Sequence, residues 1–250
     1  MEFHERMAIV HADHVFWNPI SEEGVQDLIA SLALEPGAQV LDVACGAGEL
    51  LIRLAERYGA SGIGVDISVE ALAQARRRTS ERVPGAALEF VHGDGAHYEP
   101  PGGRTFDAVC LVGASWIWKG LAGTLRALVP WMKPGGLMLL GEPYWKVPDP
   151  PIAYCEAEPG ITPDSYTTLD GIREAAQHEG LRLVYMVGAS DRDWDRYEML
   201  QSLAADRWAL ANRNHPDLEE FLEADQKWRR QYLKWGRDAL GFAQFVFRRG

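Results

Sequence analysis

The chain has 250 residues, and its 36 acidic against 25 basic side chains give a formal net charge of −11 at pH 7. This balance argues against a long nucleic-acid interface, in which several Lys or Arg side chains must neutralise phosphates. The N-terminal region contains no apolar signal segment, and no stretch approaches the ~18 apolar residues of a membrane span, so we expect a cytoplasmic protein without membrane contact.

The predicted elements begin with an amphipathic helix. Ser21 is a good N-cap, and apolar residues recur at helical spacing from Val25 to Leu32, so we expect a helix over 21–34. Strands and helices then alternate, and the strands are apolar enough to be covered on both faces. This pattern predicts a doubly wound, mostly parallel seven-stranded sheet in a single α/β domain. The first five strands are expected at 39–44, 61–66, 88–92, 106–112 and 137–141.

The second half of the chain is less regular. Residues 147–167 are predicted to form a lid loop, because their prolines exclude a helix or a central strand. A helix at 168–179 and a strand at 181–187 follow. The aromatic-rich residues 190–240 are then expected to form a helical cap from two long helices, at 192–213 and 217–239, inserted before a last strand at 241–249. The prolines of the lid loop are Pro148, Pro150, Pro151, Pro159 and Pro163.

The most informative motif lies at the end of the first strand. Residues 40–48 read Val-Leu-Asp-Val-Ala-Cys-Gly-Ala-Gly, and the second strand closes on Gly64-Val65-Asp66. A strand that ends in a glycine-bearing turn, then a helix and a second strand ending in an acid, is typical of a βαβ unit that binds a nucleoside. A dinucleotide site would need a third glycine, whereas Glu49 follows Gly48 directly.

This stretch resembles motif I of class I S-adenosylmethionine-dependent methyltransferases, with Ala44 where the family has its first glycine. Four further segments are similar to the family in the same order: residues 62–68 to motif II, 92–95 to the adenine-contacting turn, 106–109 to the fourth strand and 132–137 to the turn into the fifth. The resemblance implies S-adenosyl-L-methionine as cofactor, S-adenosyl-L-homocysteine as product, a cofactor-binding core over 39–142 and an N-terminal segment, 1–38, that covers the cofactor. In the family, the last strand runs antiparallel between strands five and six.

Position at the strand ends and the resemblance together assign the cofactor site. Asp66 is expected to accept hydrogen bonds from the ribose, Asp94 and Gly95 to contact adenine, and Ile67 to cover its face. Asp42 either orients the loop or meets the methionine ammonium through water. Asn18 either folds over the methionine end or belongs to a plain turn. The complete set is Asn18, Asp42, Ala44, Cys45, Gly46, Gly48, Asp66, Ile67, Asp94, Gly95, Gly113 and Ala114.

Methyl transfer from a sulfonium is an in-line displacement, for which positioning is essential and a general base is optional. The catalytic candidates are Glu142, an acid directly after a buried strand, and Tyr144 beside it. Aromatic clusters at 115–118, 142–145 and 191–197 either line an acceptor pocket or pack the inserted helices against the sheet.

The chain lacks motifs of certain other methyltransferases, and this limits the classes of methyl acceptor that we expect. Base-methylating relatives carry Asn/Asp-Pro-Pro-Tyr/Phe after strand four, where this chain has Val112-Gly113-Ala114-Ser115. The chain also has no acid directly after strand four that could bind a metal. His4, His11 and His14 lack the spacing of metal ligands, so we expect no metal site. We therefore expect a small, partly apolar acceptor, with the acceptor atom and the choice between monomer and homodimer left open. The alternatives are a non-catalytic cofactor-binding protein and an NAD(P)-dependent oxidoreductase.

Overall fold

A computed structural model describes residues 1–157 and 160–250, without the side chains of Phe3 and His4. Pro159 of the predicted lid loop therefore lies outside the described residues, as does the side chain of His4. Internal contacts divide the chain into two compact units. The sheet unit comprises Glu22–Pro143, Leu169–Gly188 and Ala243–Gly250, and the helical unit comprises Met1–Ser21, Tyr144–Thr168 and Ala189–Phe242.

A seven-stranded sheet has the order β3-β2-β1-β4-β5-β7-β6. Strands β1 to β5 pair in parallel, and β7 runs antiparallel to β6. The predicted doubly wound, mostly parallel sheet is confirmed, as is the position of the last strand between the fifth and the sixth. The strands are β1 (Gln39–Val43), β2 (Ser61–Asp66), β3 (Leu88–His92), β4 (Phe106–Val112), β5 (Met132–Trp145), β6 (Leu181–Gly188) and β7 (Leu240–Arg249).

The sheet unit is held together by strands that are buried on both faces and by helices that each bury one face against the sheet. Residues 108–111 of β4 and 138–140 of β5 are fully buried, and such side chains contribute roughly 1.5–3 kcal/mol each when large and apolar. The helix after β1 buries Leu51, Ile52 and Leu54. This packing holds the carboxyl ends of the central strands in fixed positions. The helices of the unit are α2 (Glu22–Leu32), α3 (Glu49–Tyr58), α4 (Val69–Arg82), α5 (Leu121–Leu128) and α7 (Leu169–His178).

The helical unit has small cores of its own. One consists of Val10, Ala205 and Phe221, and the other of Trp145, Tyr154 and Ala239. The two long helices predicted from the aromatic spacing are both present, as α8 and α9. The helices of this unit are α1 (Phe3–Val10), α6 (Ile152–Ala157), α8 (Asp191–Ala211) and α9 (Leu218–Gln231), followed by a π-turn at Tyr232–Gly236 and a helical turn at Arg237–Ala239.

Three elements differ most from the prediction. Strand β5 continues past residue 141 to Trp145, so Glu142 lies inside the strand and not after it. Helix α6 forms within the predicted lid loop, directly after Pro151, because proline is tolerated next to the first helical turn. Helix α1 was not predicted. The residue before it makes no capping hydrogen bond with its side chain, and the helix has no strong apolar stripe.

Candidate active site

The turn after β1 is shaped by three residues with positive φ. Ala44, Gly46 and Gly48 have φ of 58°, 53° and 71°. An alanine pays roughly 1–2 kcal/mol in this region, which explains why glycine is favoured where this chain has Ala44. A Cβ at Gly48 would lie 2.7 Å from the Phe90 ring, whereas a Cβ at Gly46 would meet nothing within 4 Å. Gly48 is therefore needed for packing, and Gly46 leaves the turn open to a ligand.

Asp66, the last residue of β2, is hydrogen-bonded to the turn after β1. Its Oδ2 accepts a hydrogen bond from the Gly46 N–H at 2.8 Å, and its Oδ1 accepts one from the Ser68 N–H at 2.8 Å. Each carboxylate oxygen has a second lone pair. The side chain is thus fixed by backbone donors and can still accept hydrogen bonds from a pair of hydroxyl groups, as ribose binding requires.

Asp42 is buried and Cys45 is half-buried beside this turn. Asp42 is 3% exposed, and burial, with a smaller contribution from the charge of Asp66, raises the pKa of its carboxyl to about 8. A cationic ligand group nearby would favour ionisation of this acid. Burial also raises the pKa of the Cys45 thiol, and a Cβ at Gly64 would lie 2.7 Å from Cys45 Sγ, so the thiol fills space as a neutral group.

The turn after β3 is capped by Asp94. Its Oδ1 accepts from the Ala96 N–H at 2.9 Å and its Oδ2 contacts His97 Nδ1 at 3.0 Å, and these bonds hold the pKa of the carboxyl below its usual value. Gly95 is required because a Cβ there would lie 2.7 Å from Val43 Cγ1. Ile67 is 56% exposed at the end of β2, which suits a residue that covers one face of a ring.

The loop after β4 holds Glu142 of β5. Gly113, at φ 70°, donates its N–H to the Gly141 carbonyl at 2.9 Å and so ties the two strands together. Ala114 is buried, and the Ser115 hydroxyl that follows donates to Glu142 Oε2 at 3.0 Å. Glu142 is 3% exposed, and its Oε1 has no hydrogen-bond partner in the described part of the chain. Burial raises the pKa of this carboxyl to about 8, against the opposing effect of the Ser115 hydrogen bond.

Ser115 was predicted only as a member of the cluster 115–118, and its hydrogen bond to Glu142 was missed. The signal was available, because the fourth and fifth strands were predicted in one parallel sheet, whose strand carboxyl ends meet at one edge. A hydroxyl just after one strand and an acid at the end of the next were therefore candidates for a pair. The register, with Val112 beside Gly141, brings them together.

Asn18 and Tyr144 belong to the helical unit, and each has a local structural role there. Asn18 is buried, and its Oδ1 accepts from the Ile20 N–H at 3.0 Å, as in a simple turn. The Tyr144 ring lies against Gly241, where a Cβ would be 2.3 Å from Cζ. Burial, assisted by Asp191, raises the pKa of the Tyr144 hydroxyl. The roles of both in binding or catalysis stay predictions.

Two properties of the described residues bear on the ligand class. None of the helices in that part of the chain combines the length and apolar character needed to cross a membrane. Within the same residues, no group of three or more His, Cys, Asp or Glu side chains is arranged to hold a metal ion. The open turn at Gly46, the free lone pairs of Asp66 and the exposed Ile67 instead fit a nucleoside cofactor.

Comparison with known proteins agrees with this geometry. Residues 40–136 match the methyltransferase domain family. The uncharacterised protein YjhP of Escherichia coli (strain K12) is 33% identical over 246 residues, which cover 98% of each chain. The 2-phytyl-1,4-naphtoquinone methyltransferase of Nostoc punctiforme is 34% identical over 105 residues, 41% of this chain and 45% of that enzyme.

A solved structure extends the likeness to the whole fold. The SAM-dependent methyltransferase from Geobacter sulfurreducens, in complex with S-adenosyl-L-homocysteine, is 32% identical with a TM-score of 0.89, and the match covers 97% of each chain. The chain belongs to the S-adenosyl-L-methionine-dependent methyltransferases, and S-adenosyl-L-methionine is its cofactor.

Proposed function

We propose that this methyltransferase acts on a small-molecule acceptor, and that Glu142 orients or deprotonates that acceptor. The observation that carries the proposal is the buried carboxyl of Glu142, held by the Ser115 hydroxyl at one oxygen and unpartnered among the described residues at the other. A buried polar atom without a partner costs about 1–3 kcal/mol, and such atoms in native proteins call for an explanation. A donor group on the acceptor would supply the missing hydrogen bond.

The protonation of Glu142 favours this role. Because the Ser115 hydroxyl donates to Oε2, the proton of the neutral acid would be carried by Oε1. With a pKa of about 8, the carboxyl loses that proton at about pH 8, much closer to neutral pH than an ordinary glutamate, and a general base is most effective when its pKa lies near the working pH. Above that pH, Oε1 can accept a proton or a hydrogen bond from an N–H or O–H group of the acceptor.

The remaining site residues would position the cofactor, which supplies an electrophilic methyl group when bound. The turn at Gly46 and the carboxylate of Asp66 would fix the nucleoside, while Asp42 would face the charged end of the methionine part. Fixing the two reactants in line can account for up to ~7–11 kcal/mol of the barrier reduction. The acidic net charge and the absence of the base-methylating motif after β4 favour a metabolite acceptor over a nucleic acid.

Replacement of Glu142 tests the proposal. Acceptors are first found by following labelled methyl transfer to a panel of small molecules. With such an acceptor, Glu142→Gln should lower kcat by about 10²–10⁴-fold if the carboxylate is a base, while the calorimetric Kd for S-adenosyl-L-homocysteine stays unchanged. Glu81→Gln, at an exposed glutamate of α4, is the matched control. A parent that binds the cofactor product but methylates no compound would favour the non-catalytic alternative, and an unchanged kcat in Glu142→Gln would remove the residue from the mechanism.

A further inference from the structure

A second group of aromatic and polar side chains lies wholly within the helical unit. We define the aromatic–histidine cluster as His11, His14, Trp17, Trp194 and Tyr197. His11 stacks on Trp17 with ring centroids 4.6 Å apart, and it meets the His14 ring edge-on at 5.0 Å. Tyr197 joins the two halves of the cluster, at 4.8 Å from His14 and 6.0 Å from Trp194. The cluster therefore combines residues from the N-terminal segment and from α8.

Three polar atoms of this cluster are buried without a hydrogen bond. They are His11 Nδ1, His14 Nδ1 and Trp194 Nε1, none of which has a partner in the part of the chain that the structure describes. His11 and Trp194 are each only 8% exposed. Buried polar groups are nearly always satisfied in folded proteins, so three such atoms in one chain of ring contacts indicate a missing partner.

The chemistry of the missing partner follows from the tautomers. His14 Nε2 lies 3.1 Å from the Tyr197 carbonyl, which can only accept, so Nε2 carries the proton and Nδ1 of the neutral ring is an acceptor. Trp194 Nε1 is always a donor. Burial lowers the pKa of His11 to about 3 and also lowers that of His14, so both rings are neutral at physiological pH. The partner must therefore donate a hydrogen bond to His14 Nδ1 and accept one from Trp194 Nε1. It must also be uncharged, because the neutral rings could not pair with a charge.

Access to the cluster is provided by its least buried member. Trp17 is 56% exposed and belongs to the segment 11–20, which has neither helix nor strand. Its ring covers His11, so rotation of this one side chain would uncover the histidine face. The other rings offer flat apolar surfaces that suit a planar ligand.

We propose that the aromatic–histidine cluster binds an uncharged, planar ring compound that carries a hydroxyl group. The hydroxyl donates to His14 Nδ1 and accepts from Trp194 Nε1, while the ring stacks among the aromatic side chains. This proposal concerns binding alone and does not depend on the proposed function.

Phenol and toluene form a matched pair of probes, because they have nearly the same shape and differ in the hydroxyl. Titration of the full chain is followed by the NMR shifts of ¹⁵N-labelled histidine and tryptophan side chains. Since two hydrogen bonds are gained, phenol should bind about tenfold more tightly than toluene, and the His14 Nδ1 resonance should shift only with phenol. Trp194→Phe and His14→Phe should each reduce the difference between the affinities for phenol and toluene. Trp131→Phe, in the sheet unit, should leave that difference unchanged.

Each outcome decides the inference. Equal affinities for the two probes in the parent, or an unmoved His14 Nδ1 resonance with phenol, would mean that water alone satisfies these atoms and would overturn it. This parent measurement does not depend on the folding of any variant. Calorimetry with S-adenosyl-L-homocysteine on the same variants keeps the two proposals apart, because loss of phenol binding in His14→Phe should leave the Kd for S-adenosyl-L-homocysteine unchanged.

Discussion

The cofactor turns of the sheet unit and the aromatic–histidine cluster of the helical unit differ in how their polar side chains are satisfied. In the sheet unit, Asp66 and Asp94 are held at both carboxylate oxygens by nearby donors. In the helical unit, His11, His14 and Trp194 retain buried atoms with no partner among the described residues. The segment that matches the methyltransferase domain family, residues 40–136, lies entirely in the sheet unit. The cofactor site is therefore built from local, self-contained motifs, whereas the aromatic–histidine cluster and Glu142 keep buried polar atoms that have no partner among the described residues.

The strongest test of this contrast is Asp66→Ala. Loss of a carboxylate that accepts from ribose hydroxyls should weaken S-adenosyl-L-homocysteine binding by about 10²–10³-fold, because hydrogen bonds to a charged group are worth roughly 1.5–3 kcal/mol each. Calorimetry measures the change, with Asp27→Ala at an exposed position of α2 as control. An unaltered Kd would show that the sheet unit does not hold the cofactor through this residue.

A pair of glycine variants separates packing from binding within the same turn. Gly48→Ala should lower stability by about 2–5 kcal/mol, because the overlap of its Cβ with Phe90 adds about 1–3 kcal/mol to the penalty of a positive φ. Gly46→Ala meets no atom within 4 Å, so it should destabilise by only about 1–2 kcal/mol. It should nevertheless weaken cofactor binding. Thermal unfolding with and without S-adenosyl-L-homocysteine distinguishes the two, and equal loss of Tm in both variants would contradict the assignment.

Buried acids in both units should make stability fall as pH rises. Asp42 and Glu142 of the sheet unit hold their protons to about pH 8, and Glu198 of the helical unit to about pH 7. Unfolded carboxyls release their protons near pH 4. Unfolding therefore releases these carboxyl protons between these values, and a rising pH favours the unfolded state, against the opposite effect of His11 and His14, which take up protons on unfolding below about pH 6.5.

Urea unfolding at pH 5 and pH 8 measures this effect, with each acid replaced in turn by its amide. Asp42→Asn and Glu142→Gln should flatten the dependence up to about pH 8, and Glu198→Gln only up to about pH 7. A stability that rises from pH 5 to pH 8 and is unaffected by all three replacements would show that these carboxyls are ionised in the folded protein.

The smallest expected effect concerns Ala44. Because its φ of 58° lies in the region that glycine adopts without penalty, Ala44→Gly should stabilise the chain by about 1 kcal/mol. Ala47→Gly, in the same turn, is the control, since Ala47 is not among the residues with positive φ. A lower Tm for Ala44→Gly than for the parent would show that unfolded-state entropy outweighs the relief of strain.

Several features were predictable from the sequence because they depend on neighbours along the chain. The bounds of β2, β3 and β4 agree with the predicted ones, since apolar runs and flanking turn residues define them locally. The glycine turn and the acid at Asp66 were recognisable for the same reason. The family and its cofactor were recognisable from these motifs, and the comparisons confirm both in place of the oxidoreductase alternative. Of the sheet order, only the place of the last strand between the fifth and the sixth was predicted, from the family resemblance.

Other features depended on register and on contacts between distant segments. The hydrogen bond from Ser115 to Glu142 requires the pairing of Val112 with Gly141, and the contact of His14 with Tyr197 joins residues 183 positions apart. Burial raises the pKa of Glu142 and leaves its Oε1 without a partner among the described residues. The spacing of apolar residues along one strand does not specify this burial. Local sterics and apolar spacing thus determined the elements and the cofactor turn, and only tertiary packing decided which polar groups met a partner and which were left without one.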